Sequence, residues 1–190
     1  RMLATLRAEN LNPPVTMDFR PNTDGICCGV EEVKCLLEKV LPETEREVWA
    51  LDEGSPITAD EVVFRIKAHY ASFALYETAI SGILAQCSGW ATAARQCVEA
   101  AQGIPTICIG ARYVHPDSAA FMDYAAVISG CVSCSSVLGA KPGIVTPHGT
   151  LSHSLNLIVG DTLKAMQAFD KHTAKEVPRL AVVDTLHDPI

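Results

Sequence analysis

From residue 103 onward the chain is punctuated by short, unbroken apolar runs at 104–109, 125–129, 143–147 and 179–183. Such runs lack the alternation of a half-exposed strand, so they read as strands covered on both faces. Between them lie segments of helical character at 116–124, 133–138, 151–159 and 162–169, with Pro116 at the start of the first. Strands that alternate with helices mean βα units and a parallel sheet or barrel. Four strands do not close a barrel, because closure links strand number to tilt and shear and small barrels need about eight. Ending after the fourth would leave an open edge of backbone donors. The expectation is therefore the front portion of a larger assembly, with the missing strands elsewhere in the same particle.

The first hundred residues have a different rhythm. Residues 1–24 are rich in Asn, Pro and Thr and read as an arm or loop that ends at the turn signal Asn22-Thr23-Asp24-Gly25. Val33, Leu36, Leu37 and Val40 have helical spacing within 30–40, and Pro42 closes the segment. Residues 47–51 and 61–67 are β-rich and separated by a turn-forming stretch, as strands of one sheet would be. Residues 71–86 form a strongly apolar helix, and after Ser88-Gly89 a second helix is expected to about residue 101. The fold class is α/β: an open β-sheet domain with helices over 1–102, then the first part of a parallel β/α barrel over 103–190.

Of the 190 residues, 48% are hydrophobic and 19% charged, the balance of a folded domain. Lys and Arg total 15 against 22 Asp and Glu, a net charge of −7. That balance argues against binding nucleic acid or an anionic membrane by bulk charge, but leaves room for a small anion held by a few local cations. No apolar run approaches the roughly 18–20 residues that cross a bilayer, and the first residues are too interrupted for a signal peptide. Most of the eight cysteines sit in apolar segments, where free Cys acts as a small hydrophobe, so a reducing, cytoplasmic location is expected.

Beyond the C-terminal ends of parallel strands, functional groups gather. Here those positions hold Arg112 and His115, then Ser133, Cys134 and Ser135, then His148, Gly149, Thr150, Ser152 and His153, and last Asp184, Thr185, His187 and Asp188. A cation, hydroxyls, imidazoles and carboxylates on one rim suit a phosphorylated sugar.

Residues 64–78 (FRIKAHYASFALYET) and 109–116 (IGARYVHP) resemble segments of the nicotinate phosphoribosyltransferases, of the type II phosphoribosyltransferase family. Gly149-Thr150-Leu151-Ser152-His153 is similar to the family's GT-x-x-H segment. Gly160-Asp161-Thr162 follows at the family's distance, and Val183-Asp184-Thr185 matches its VDT. The resemblance implies transfer of a phosphoribosyl group from phosphoribosyl pyrophosphate to nicotinate, giving nicotinate mononucleotide and pyrophosphate. It also implies Mg²⁺ accompanying the pyrophosphate, ATP coupling through a phosphohistidine at His153, and a homodimer or a complementary chain that supplies the rest of the barrel. Arg112 is then the anion ligand, Asp184 the ribose ligand, and Thr150 and His115 further substrate-binding residues. Phe19 stands where the family offers an aromatic ring to the pyridine, often across a dimer interface.

Each residue also has a plainer role open to it. Arg112 suits a surface ion pair, His153 suits packing, and Thr150 and Asp184 suit helix N-caps. Two other enzyme readings are weak: Cys131-Val132-Ser133-Cys134 lacks a second ligand pair for zinc, and Ser152, His153 and Ser154 lack a nucleophile elbow. Quinolinate, with decarboxylation, is the alternative acceptor, although it needs a second cation beside Arg112. A non-catalytic remnant acting as a structural subunit is the alternative from another class.

Overall fold

Phe64, Ile66 and Ala68 are buried while Arg65 and Lys67 point to water, and this alternation makes β5 (Phe64–His69) the central strand of an antiparallel sheet. A computed structural model describes residues 1–140 and 145–185. β1 (Pro14–Phe19) flanks β5 with Pro14 opposite His69 and Phe19 opposite Phe64. β3 (Glu47–Ala50) flanks it on the other side, with Glu47 opposite Lys67 and Ala50 opposite Phe64. A small second pair joins β2 (Gly25–Ile26) to β4 (Pro56–Ile57), also antiparallel.

The expectation that residues 1–24 form an unstructured arm is corrected. Met2–Ala8 is a helix, α1, and Pro14–Phe19 is an edge strand. The strand was masked by its prolines, yet Pro14 occupies the first position of an edge strand, where a missing N–H costs least. Val15, Met17 and Phe19 pack on the core, while Asp18 on the other face meets Arg65 across the strands at 2.5 and 2.8 Å.

α2 (Val30–Val40) buries Val30, Val33 and Leu37 against this sheet, as its spacing predicts. α3 (Tyr70–Phe73) and α4 (Glu77–Ala100) complete the cover with Phe73, Ile80 and Leu84. The expected helix break at Ser88-Gly89 is not there. α4 runs through it, and the interruption falls at 74–76 instead. The small polar residues serve another purpose. Ser88 Oγ accepts from Cys28 N at 3.0 Å and donates to Cys28 O at 3.2 Å, and Thr92 Oγ1 accepts from Ile26 N at 2.9 Å. β2 therefore lies so close to α4 that a Cβ on Gly25 would come within 2.4 Å of Thr92 Oγ1.

The second half departs further from expectation. Residues 125–128 are the last turn of α5 (Pro116–Ile128) and Ser129 is its C-cap, so no strand forms there. The helix is apolar on more than one side because it is covered on both. Ala125 packs with Cys28, Cys87 and Ala91, and Val127 with Cys134 and Ala140. An unbroken apolar run of five residues has no period, so its pattern is the same in either conformation. The second parallel strand is instead β7 (Ser133–Cys134), where a short helix over 133–138 was expected. It pairs with β6 (Ile107–Cys108), the two-residue core of the expected run at 104–109, with Ile107 opposite Ser133 and Cys108 opposite Cys134.

Of the expected strand at 143–147, residues 143 and 144 lie outside the described residues, and 145–147 carry no strand. Residues 179–183 form no strand either, although Leu180 O accepts from Leu151 N at 2.9 Å. α6 (His153–Val159) and α7 (Thr162–His172) follow the sequence reading closely. Among the described residues no helix is long and apolar enough to cross a membrane.

Candidate active site

Four hydrogen bonds join the start of α6 and the loop before it to the 180–185 segment. The bond from Leu151 N to Leu180 O lays the loop before α6 beside the 180–185 segment. At the first turn of α6, His153 Nδ1 lies 3.1 Å from Thr185 Oγ1, and Asn156 Nδ2 donates to the same oxygen at 2.8 Å. Asn156 Nδ2 also donates to Val182 O at 3.0 Å. His153 and the Val183-Asp184-Thr185 motif thus share one point, and one imidazole nitrogen of His153 is committed to Thr185. Asn156 is buried, and its Oδ1 has no partner among the described residues. Asp184 is exposed beside this junction. Thr150 is half-buried; the N-cap position of α6 belongs to Ser152, so Thr150 is not the cap. Asp161 caps α7 by accepting from Lys164 N at 2.9 Å.

A second group of side chains gathers at the ends of β6 and β7. Arg112 lies in a single 3-10 turn (Ala111–Tyr113) after β6 and is exposed, with no carboxylate paired to it among the described residues. His115 is the N-cap of α5, its Nδ1 accepting from Asp117 N at 3.2 Å with Asp117 Oδ2 at 3.5 Å. After β7, Ser133 Oγ donates to Thr146 O at 2.6 Å and meets His148 Nδ1 at 2.8 Å. His187 and Asp188 lie outside the described residues.

Beneath this group is Asp123, which the sequence reading treated only as part of a helix. It is fully buried, and its Oδ2 accepts from Ser136 N at 2.8 Å and Ser135 Oγ at 3.4 Å. The Cys108 thiol, at the end of β6, neighbours the same carboxylate, and burial pushes that thiol up to about 12. Asp123 on α5 therefore ties together the C-terminal ends of both parallel strands. The signal that would have found it is a lone carboxylate inside the apolar run Phe121–Ile128, and Asn156 inside Leu155–Ile158 is its counterpart. Cys131 and Cys134 are buried free thiols, both pushed upward by burial.

Phe19 stands apart. Its ring meets Phe64 edge-on at 6.1 Å, and it lines a cavity of about 500 Å³ with Arg20, Asn22, Ser81, Ser88 and Thr92. None of Arg112, His115, Thr150, His153 or Asp184 lines that cavity. The structure brings His153 to the VDT motif and His148 to Ser133, but it does not bring Phe19 to either.

An open antiparallel sheet with covering helices, followed by parallel βα units whose strand ends carry these groups, is the fold of the type II phosphoribosyltransferases. Residues 3–88 match the family model described as the quinolinate phosphoribosyl transferase N-terminal domain. Across 100% of this chain the fold superposes on nicotinate-nucleotide pyrophosphorylase from Pyrococcus furiosus, with a TM-score of 0.87 and 38% identity over 49% of that protein. Human nicotinic acid phosphoribosyltransferase shares the fold at a TM-score of 0.68 and 20% identity, over 95% of this chain and 41% of that one. In sequence, a nicotinate phosphoribosyltransferase of Mycobacterium tuberculosis is 28% identical over 141 residues, 74% of this chain and 30% of that protein. The chain thus spans half or less of the length of these relatives.

Proposed function

We infer that this chain carries part of the active site of a nicotinate phosphoribosyltransferase, within a fold divided at about residue 102. In the reaction the pyridine nitrogen lone pair forms a bond to C1′ of phosphoribosyl pyrophosphate. The C1′–O bond to pyrophosphate breaks, and the electron pair leaves with the pyrophosphate. Because the sugar carbon is cationic at the transition state, catalysis rests on placing the reactants and stabilising the departing anion. The observation that carries the reading is the junction of His153, Asn156 and Thr185, which unites the GT-x-x-H and VDT segments. Asp184, exposed at that junction, takes the ribose hydroxyls, and Thr150 takes a phosphate.

Arg112, exposed and unpaired among the described residues, binds the nicotinate carboxylate or a phosphate. His115 has its Nδ1 occupied in capping α5, which leaves Nε2 for a phosphate oxygen. Phe19, which lines a cavity that none of the rim groups lines, serves the pyridine ring of a site formed with a second copy or a complementary chain. Nicotinate is favoured over quinolinate because no second Lys or Arg stands close to Arg112 in sequence to meet quinolinate's second carboxylate. The family model matched by residues 3–88 supports quinolinate as the second reading.

Among the described residues no three His, Cys, Asp or Glu side chains converge as a metal cage. Mg²⁺ is assigned to the pyrophosphate-bearing substrate, where it would offset the charge of the leaving group. ATP coupling is assigned to His153. With Nδ1 held by Thr185, the free Nε2 attacks the γ-phosphorus, and the bond to the bridging oxygen breaks to release ADP. The test is incubation of the protein with γ-labelled ATP. Acid-labile label is expected on the wild type and absent from His153→Ala. Equal labelling of both proteins, or ATP-independent turnover at the full rate, would overturn the assignment.

A further inference from the structure

The Ser133 hydroxyl has one proton to give. Thr146 O, at 2.6 Å, is a carbonyl and only accepts; Cys134 O, at 3.4 Å, is another. At 2.6 Å the proton lies between Ser133 Oγ and Thr146 O, since two facing lone pairs at that distance repel. His148 Nδ1 is 2.8 Å from the same Oγ. With the serine proton already used, Nδ1 must be the donor in that contact. The neutral imidazole then has its proton on Nδ1 and an open lone pair on Nε2, because the bond made by one ring nitrogen sets the state of the other.

Ser133 is fully buried, so this orientation is set from inside the fold rather than by solvent. The backbone adds a second restraint, because His148 N donates to Cys134 O, the last residue of β7, at 3.0 Å. The ring is therefore pinned at the C-terminal end of a parallel strand and is half-buried. The next two residues are Gly149 and Thr150, of the segment assigned above to phosphate.

We propose that His148 is a substrate-binding residue that recognises a sugar hydroxyl through Nε2, with Ser133 as its positioning residue. An Nε2 lone pair suits a hydroxyl donor and repels an unprotonated phosphate oxygen. The ligand class is the ribose part of a phosphoribosyl compound, and this assignment rests on the phosphoribosyltransferase reading above. The proton arrangement does not rest on it.

The test uses the ¹⁵N-histidine-labelled chain, with ring tautomers read from long-range proton–nitrogen correlations. His148 is expected protonated at Nδ1 and bare at Nε2, and Ser133→Ala is expected to lose that preference. Ribose 5-phosphate should shift His148 Nε2, and inorganic pyrophosphate should leave it in place. His148→Phe should weaken ribose 5-phosphate binding about three- to tenfold, the loss of one neutral hydrogen bond. A proton on Nε2 overturns the proposal outright. If ribose 5-phosphate moves His153 but not His148, the proposal fails while the phosphoribosyl reading stands. If it moves neither, both fail together.

Discussion

Gly139 tests the buried anchor of the candidate site. A Cβ built there would lie 2.3 Å from Asp123 Cβ, 2.9 Å from Ser136 Oγ and 3.0 Å from Ala120 O. Two of those three are the root of a buried side chain and the backbone of α5, neither of which swings aside. Gly139→Ala must therefore lift the 135–139 loop from α5. Overpacking of this kind costs about 1–3 kcal/mol. Lifting the loop also strains the bond from Ser136 N to the Asp123 carboxylate, worth about 1.5–3 kcal/mol for a charged acceptor. The expected loss is about 3–5 kcal/mol, or about 1.5–2.5 M in urea midpoint at a slope of about 2 kcal/mol/M. Gly82 supplies the control: it lies exposed in α4, and its added Cβ would meet nothing within 4 Å. Gly82→Ala should raise the midpoint slightly, by about 0.5–1 kcal/mol of helix propensity. The two alanine substitutions are thus expected to act with opposite sign in urea titrations followed by circular dichroism. A loss below about 1 kcal/mol at Gly139 would refute the close packing of the loop on Asp123.

Asp18 gives a pH signature. Its hydrogen bonds to Arg65, aided by Arg20, hold its carboxyl down at about 2 against an ordinary 3.8. A depressed folded-state value stabilises the protein above the unfolded value, and this contribution is lost as pH falls from about 4 to about 2. The stability gap between wild type and Asp18→Asn should therefore close over that window in acid titrations, and 1 M salt should narrow it at neutral pH. Thiol reactivity gives another check. Cys35 and Cys97 are exposed, and burial pushes Cys27 up to about 11 and Cys108 to about 12. Under native conditions at pH 8, Ellman's reagent should label Cys35 and Cys97 rapidly, and the other six only on unfolding. Rapid native labelling of Cys27 would contradict the packing of α2 on the sheet.

Elements with a clean period were legible in the sequence. The i, i+3, i+4 spacing of α2 located its ends, and the β-rich run at 61–67 overlaps β5, whose central place in the sheet was not legible. Elements whose conformation depends on tertiary cover were not. The last turn of α5 looks like a buried strand because both of its sides are packed, so no polar face remains to show a helical period. Ser88-Gly89 looks like a helix break, but it is the place where β2 approaches α4, a contact between residues 60 or more positions apart. β7 was hidden because two residues are too few for a pattern. At the site, the ordered motifs identified His153 and the VDT segment as partners, and the structure joins them through Thr185. What sequence reasoning missed was Asp123 and Asn156: each is a single polar residue inside an apolar run, a signal of burial, while the partners it binds become visible only in the fold. The separation of Phe19 from the rim is likewise a matter of topology.

We propose phosphoribosyl transfer to nicotinate, and the products formed decide it. Its most direct measurement offers the protein phosphoribosyl pyrophosphate with either nicotinate or quinolinate, and follows pyrophosphate, mononucleotide and carbon dioxide together. The expected result is nicotinate mononucleotide and pyrophosphate from nicotinate, with no carbon dioxide from quinolinate. Carbon dioxide released in step with mononucleotide from quinolinate, with nicotinate left unreacted, would contradict it.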